Sequence, residues 1–198
     1  MRHPIRSAAL SLALCIPLAG WGRAPEQLSL QTESKLWVEG GSTIKSWSCK
    51  AGVVDAIVEA STANAVVQLL GGDKAVKTVD VTVPSEKLDC GNGTMNDHMK
   101  KALKVGDFPS VAFHVSTYDV AKSSEGIAGT LTGTLTLGGV KKTISIPATA
   151  TDANGALHVV GSYELNMKDY DLTPPSLMFG RIKVRELVNV KFDLFLKS

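Results

Sequence analysis

The stretch Gly129-Thr130-Leu131-Thr132-Gly133-Thr134-Leu135-Thr136-Leu137-Gly138-Gly139-Val140-Lys141-Lys142-Thr143-Ile144-Ser145-Ile146 decides how the chain folds. Leu131, Leu135 and Leu137 share one phase with Gly129 and Gly133, and four threonines fill the other. A period of two marks a strand with one buried face, because successive side chains point to opposite sides of the pleat. Gly138-Gly139 supplies two residues that accept positive φ without steric penalty, as a tight hairpin turn requires. Ile144, Ile146, Ala148 and Ala150 then resume the alternation on a returning strand. The stretch reads as an antiparallel hairpin, apolar on one side and polar on the other.

The same rhythm extends in both directions. Val79, Val81 and Val83 alternate with Asp80 and Thr82, and Val111, Phe113 and Val115 alternate with Ala112, His114 and Ser116. Downstream come Leu157, Val159, Gly161, Tyr163, Leu165 and Met167, then Val184, Val188, Val190, Phe192, Leu194 and Leu196. Leu36 to Glu39 and Ile44 to Ala60 are strand-like with less regular alternation. Gly71-Gly72-Asp73 and Asp152-Ala153-Asn154-Gly155 are turn sequences, and Asp171 to Gly180 reads as a longer loop. The runs amount to about eight strands. Their connections are too short for crossover helices, so the order is antiparallel. Eight tilted strands can close into a barrel, which removes exposed edges and leaves an interior wide enough for side chains or one small ligand.

One segment departs from the period. Met95, Met99, Ala102 and Leu103 fall on one helical face, so a short helix is expected between two strands. Thr94 with Asp97 is the expected N-terminal cap, Lys100, Lys101 and Lys104 suit the C-terminal dipole, and Gly106 is the expected terminator before Pro109. Gly129, Gly133 and Gly161 occupy apolar faces where valine or leucine would pack better. Either the wall bends sharply at them or a ligand approaches the backbone there, and curvature is the more general reason.

Of the 198 residues, 44% are apolar and 20% charged, enough for one sizeable core and too few for several domains. The net charge of +2 becomes −1 when Arg2, Arg6 and Arg23 are set aside. A nearly neutral body lacks the basic stripe that nucleic-acid binding needs. Met1 to Arg6 followed by the apolar stretch Ala8–Ala19 and small residues has the form of a secretory signal over residues 1–24, with cleavage after Gly20, Gly22 or Ala24. The stretch is short of the about 20 apolar residues that a spanning helix needs. Cys15 raises a lipid-modified start, but bulky Leu14 stands where that signal wants a small residue. Residues 25–198 then form one exported, periplasmic or secreted domain, as a monomer or homodimer.

Cys49 and Cys90 remain, and an even pair in an oxidising compartment reads as a disulfide. Closing a loop of about 40 residues stabilises by roughly 4 kcal/mol in the chain-entropy picture. A zinc site with His98 competes, but neither a CxxC nor an HxxxH spacing supports it. Neither a cofactor nor a metal is expected. The chain contains no nucleophile elbow, HExxH, P-loop or dinucleotide fingerprint. His114 and His158 sit on the polar phases of their strands, His98 lies on the helix, and Asp169 and Asp171 precede a proline-rich loop as turn residues do. A nucleophile, a base and an orienting group cannot be assembled, so an enzyme is the minority reading.

The hairpin Gly133 to Ile144 resembles the central G-x-L-T-[IL]-x-G-V-[TK]-K-x-[VI] element of the YceI-like family. Asn96-Asp97-His98-Met99 with Phe108-Pro109-Ser110-Val111-Ala112-Phe113 resembles that family's helix and following strand. Lys35 to Gly40, with Ile44-Lys45-Ser46-Trp47-Ser48-Cys49, is similar to the opening of a branch with a W-x-C element. Lys168 to Arg185 departs from the family's usual R-x-D-F-G string. The resemblance, from about Ser34 to Leu196, implies an extended, lipocalin-like antiparallel barrel that holds a polyisoprenoid or other long-chain lipid. The lumen would then be lined by Val111, Phe113, Val115, Leu131, Leu135, Ile144, Ile146, Leu157, Val159, Leu165 and Phe192, with Tyr118, Tyr163 and Tyr170 as candidate polar contacts. The competing reading is a structural or interaction barrel filled by its own side chains.

Overall fold

The computed structural model describes residues 26–198, so the signal segment with Cys15 and the cleavage positions lies outside the described residues. The strands are β1 (Ser29–Leu30), β2 (Lys35–Gly41), β3 (Ser46–Ala51), β4 (Asp55–Ala60), β5 (Val76–Pro84), β6 (Leu88–Asp89), β7 (Ser110–Tyr118), β8 (Ala121–Ser123), β9 (Gly126–Leu137), β10 (Val140–Ala153), β11 (Ala156–Asn166), β12 (Ser176–Leu177), β13 (Ile182–Lys183) and β14 (Leu187–Lys197). Two helices accompany them, α1 (Ala65–Leu70) and α2 (Gly93–Ala102).

Hydrogen-bonded neighbours follow the order β4-β5-β7-β9-β10-β11-β14-β2-β3-β6, and the pairs are antiparallel. The two ends of that order are continuations of strands already in it. β3 runs on into β4, and β5 runs through a short 3-10 turn, Ser85–Lys87, into β6. Lys50 lies opposite Asp89, the Gly52 N–H donates to the Lys87 carbonyl at 2.8 Å, and Asp55 lies opposite Thr82. Two bent strands thus pair along their length and the wall closes. With each bent pair taken as one, the barrel has the eight long strands that the alternation implied.

A second seam joins β14 to β4 at one end. Ser29 and Leu30 pair with Lys197 and Leu196, while the Leu28 N–H donates to the Val58 carbonyl and the Ala60 N–H to the Glu26 carbonyl. The Gly138-Gly139 hairpin forms as read, with φ of 56° and 83°.

Two of the inward glycines, Gly133 and Gly161, are explained by what the wall packs against them. The register of β7 on β9 shifts between Val115 and Thr117, leaving Ser116 as a bulge whose hydroxyl donates to the Thr132 carbonyl at 3.0 Å. The bulge drives the β7 backbone across Gly133, where a Cβ would stand 2.2 Å from the His114 carbonyl oxygen. At Gly161 the ring of the cross-strand partner Phe192 takes the space a side chain would fill. Neighbouring protein, rather than ligand, requires both glycines.

The helices differ from expectation in three respects. The α2 cap is Asn92, whose side chain accepts from the Met95 N–H, because Thr94 is already inside the helix. The chain leaves α2 through Lys104 in the left-handed region (φ 55°), not through Gly106. α1 is additional to the single helix read from sequence. It is only six residues long, and Ala65, Val66 and Leu69 are buried in the core at one end of the barrel. The apolar interior forms two clusters, one around α1, Leu28 and Leu157, the other around Leu135, Leu165, Tyr170 and Phe192.

A Gly133→Ala variant is expected to lose on the order of 2 kcal/mol in chemical denaturation through overpacking, whether or not lipid is present. Stability equal to the parent would show that the bulge does not dictate this glycine.

Candidate functional site

Alternation turns one phase of every strand inward, and closure gathers those phases around a common axis. The result is a cavity of about 420 Å³ whose lining runs from Leu69 on α1 to Met95 and Met99 on α2. The structure places Val111, Phe113, Val115, Leu131, Leu135, Ile144, Ile146, Leu157, Val159, Leu165 and Phe192 on its wall. Cross-strand register brings them together: Phe113 faces Leu135, Ile146 faces Leu131, and Leu165 faces Val188. Sequence reading missed the contributions of α1, of His98 and the methionines of α2, and of Leu177 and Val184 beside the β12–β13 hairpin.

Few polar groups reach this surface, and most are already engaged. The Tyr118 hydroxyl accepts from the Val76 N–H at 3.0 Å and donates to the Val76 carbonyl at 3.2 Å. Asp119 accepts the Thr130 N–H at 2.6 Å. Trp47 differs: its indole lies over Gly40, and its Nε1–H is buried without a hydrogen-bond partner. Tyr163 lines the cavity, whereas Tyr170 is buried in the adjoining core, 1% exposed, with its hydroxyl unpartnered. Burial, aided by the nearby Tyr163 phenol and Asp169 carboxylate, pushes Tyr170 up to about 12.

The two ends are closed unequally. α1 buries three side chains, whereas α2 lies over its end with none buried. α2 is tethered from one side. The Cys49–Cys90 disulfide lies on the cavity wall, the Cys90 N–H donates to Asn96, and Asn96 donates to Asp89 at 2.9 Å. The Asn96 bond, followed by the Gly91 N–H, lowers the Asp89 carboxyl below its ordinary range. Lys100 pairs with Glu86 at 2.5 Å, which raises its ammonium.

The remaining histidines lie on the outer face. His114 and Asp80 are 2.5 Å apart and both exposed; His158 lies 2.6 Å from Asp193 and stacks on Phe195 with centroids 4.2 Å apart. Neither histidine is hydrogen-bonded to a hydroxyl among the described residues, and no cluster of three potential metal ligands occurs there.

A closed antiparallel barrel around an elongated apolar lumen defines the class: a lumen-bearing β-barrel. The YceI-like domain model matches residues 39–196, and the chain belongs to that family. A search of curated proteins finds no match. Among solved structures, BcnA of Burkholderia cenocepacia superposes with a TM-score of 0.68 at 17% identity, over 86% of this chain and 100% of that one. A Campylobacter jejuni YceI protein gives 0.56 at 16% identity, covering 76% and 84%. A polyisoprenoid binding domain from Saccharophagus degradans, implicated in plant cell wall breakdown, gives 0.59 at 15% identity, covering 87% and 97%.

Because the folded state holds Tyr170 neutral, its contribution is complete below the ordinary tyrosine pKa near 10 and is lost as pH rises toward about 12. Tyr170→Phe is expected to flatten this alkaline decline in a melting-temperature series, with little loss at pH 7 because the hydroxyl is unpartnered. An unchanged alkaline slope would place the titrating group elsewhere.

Proposed function

We propose that the protein is an exported, non-enzymatic binding protein that holds a polyisoprenoid or similar long-chain amphiphile in its lumen for transport, storage or sequestration. The observation that carries this reading is the continuous apolar cavity between α1 and α2. A barrel serving only as a structural module would fill that space with its own side chains. Burial of a lipid tail contributes about 0.8 kcal/mol per CH₂ before ordering costs, so a wall of Val, Leu, Ile and Phe needs no catalytic group to bind tightly. Such contacts are non-directional and tolerate different tails of similar width. The polyisoprenoid binding domain of Saccharophagus degradans, similar in fold, supports the ligand class. The disulfide is consistent with an oxidising compartment.

Protein purified from its producing cell is expected to yield a near-stoichiometric lipid on organic extraction and mass spectrometry, and delipidated protein to take up added prenyl quinone. A clean extract together with no uptake would refute the carrier reading.

A further inference from the structure

Between Leu172 and Arg185 the chain carries Arg181, Lys183 and Arg185 and no acidic residue; between Gly40 and Ala51 it carries Lys45 and Lys50 and again no acid. The fold fastens these two stretches together. The Thr43 N–H donates to the Lys183 carbonyl at 3.0 Å, its hydroxyl donates to the Arg181 carbonyl at 3.1 Å, and Ser42 bridges to Val184. Lys45, Arg181, Lys183 and Arg185 are all exposed, and none forms an ion pair among the described residues.

The apolar side chains here point the wrong way for a core. Phe179 is fully exposed, Met178 and Ile44 largely so. Single exposed apolar residues are ordinary on a soluble surface, but these belong to two loops that hydrogen bonds tie together. Their backbone makes the arrangement stranger. Met178 and Phe179 both adopt the left-handed region, with φ of 51° and 55°, and the Gly180 N–H closes the turn on the Leu177 carbonyl. Such a turn favours Asn-Gly, yet the chain places two bulky apolar side chains there. Strain of this kind persists where the displayed group is used. The hairpin is also continuous with the lumen, since Leu177 and Val184 at its base line the cavity.

We propose that the β12–β13 hairpin tip, with Ile44 beside it, is a docking surface for an anionic phospholipid bilayer. Phe179 and Met178 enter the headgroup boundary, while Lys45, Arg181, Lys183 and Arg185 lie against the phosphates. Docking sets the hairpin base, and with it the cavity wall, at the membrane surface. This assigns a membrane partner to the lipid carrier and rests on that reading for its purpose, though not for its geometry.

The test is co-sedimentation with vesicles of phosphatidylcholine alone and of phosphatidylcholine with phosphatidylglycerol. All proteins carry the same N-terminus, so the apolar stretch Ala8–Ala19 contributes equally. Phosphatidylglycerol vesicles should bind the parent better than neutral ones, and salt should weaken that binding. The double variant Met178→Asn/Phe179→Gly removes the apolar tip and supplies the residues the turn prefers, so its melting temperature should not fall. Its binding should fall about tenfold or more. Arg181→Gln and Lys183→Gln should each weaken binding about fivefold at low salt.

Parental binding by Met178→Asn/Phe179→Gly would overturn the proposal. So would the absence of vesicle binding with a concentration-dependent dimer that the same variant abolishes, which would make the tip a contact between two copies. Uptake of prenyl quinone from a cyclodextrin complex, with no bilayer present, separates the two readings. The tip variant should load like the parent. Failure of every protein to load, with tip-dependent vesicle binding intact, would refute the carrier and leave the docking surface standing.

Discussion

Ring closure is the constraint from which the rest of the structure follows. Once β3 and β4 pair as one bent strand with β5 and β6, no free edge remains between β2 and β7, and each of the eight long barrel strands has a partner on both sides. The hydrogen-bond ladder then fixes register, and register fixes which phase faces inward. A slip of one residue would turn the leucines of β9 to solvent and its threonines to the axis. The apolar wall and the polar coat are therefore one fact seen from two sides. The bulge at Ser116 and the bare backbone at Gly133 are the local bends that a closed wall of this size requires.

Closure also settles where polarity is tolerated. Groups near the axis are bonded to backbone, as at Tyr118 and Asp119, or left buried and unpartnered, as at Trp47. The paired charges lie outside, where water moderates them. Glu39 takes the Lys191 ammonium and the Trp37 N–H at 2.7 Å each and is lowered by them, and His114 and His158 each meet an aspartate on the outer face. The His–Asp pairs thus sit on the opposite side of the wall from the apolar cavity.

Much of this was legible in the sequence, for a physical reason. A period of two is a direct record of which side of a pleat a residue occupies, so each of the eleven residues expected on the lumen lies on the cavity wall. The disulfide followed from parity and compartment, and the Gly138-Gly139 turn from conformational freedom. What was missed depends on tertiary context. α1 is a six-residue stretch of mixed propensity that buries against the barrel end. The cap of α2 lies at Asn92, not Thr94, because both side chains, two residues apart, are capable of capping and the helix begins at Gly93. Asp171 to Gly180, which holds β12 and the turn after it, reads as loop, and nothing in it announces a hairpin, since Met178-Phe179 is the opposite of what turn chemistry favours. Trp47 gave no warning either, because an unpaired donor is visible only after its neighbours are placed.

The seam at Leu28 to Leu30 bears on when such a molecule comes into being. Leu30 lies opposite Leu196, so residues from the two extremes of the described chain must meet before that side of the wall is sealed. Contacts of such long sequence separation form late and slowly. Until β14 is in place the greasy channel is an uncovered trough, open to aggregation. The enclosed cavity comes into being only when this last, most distant contact is made.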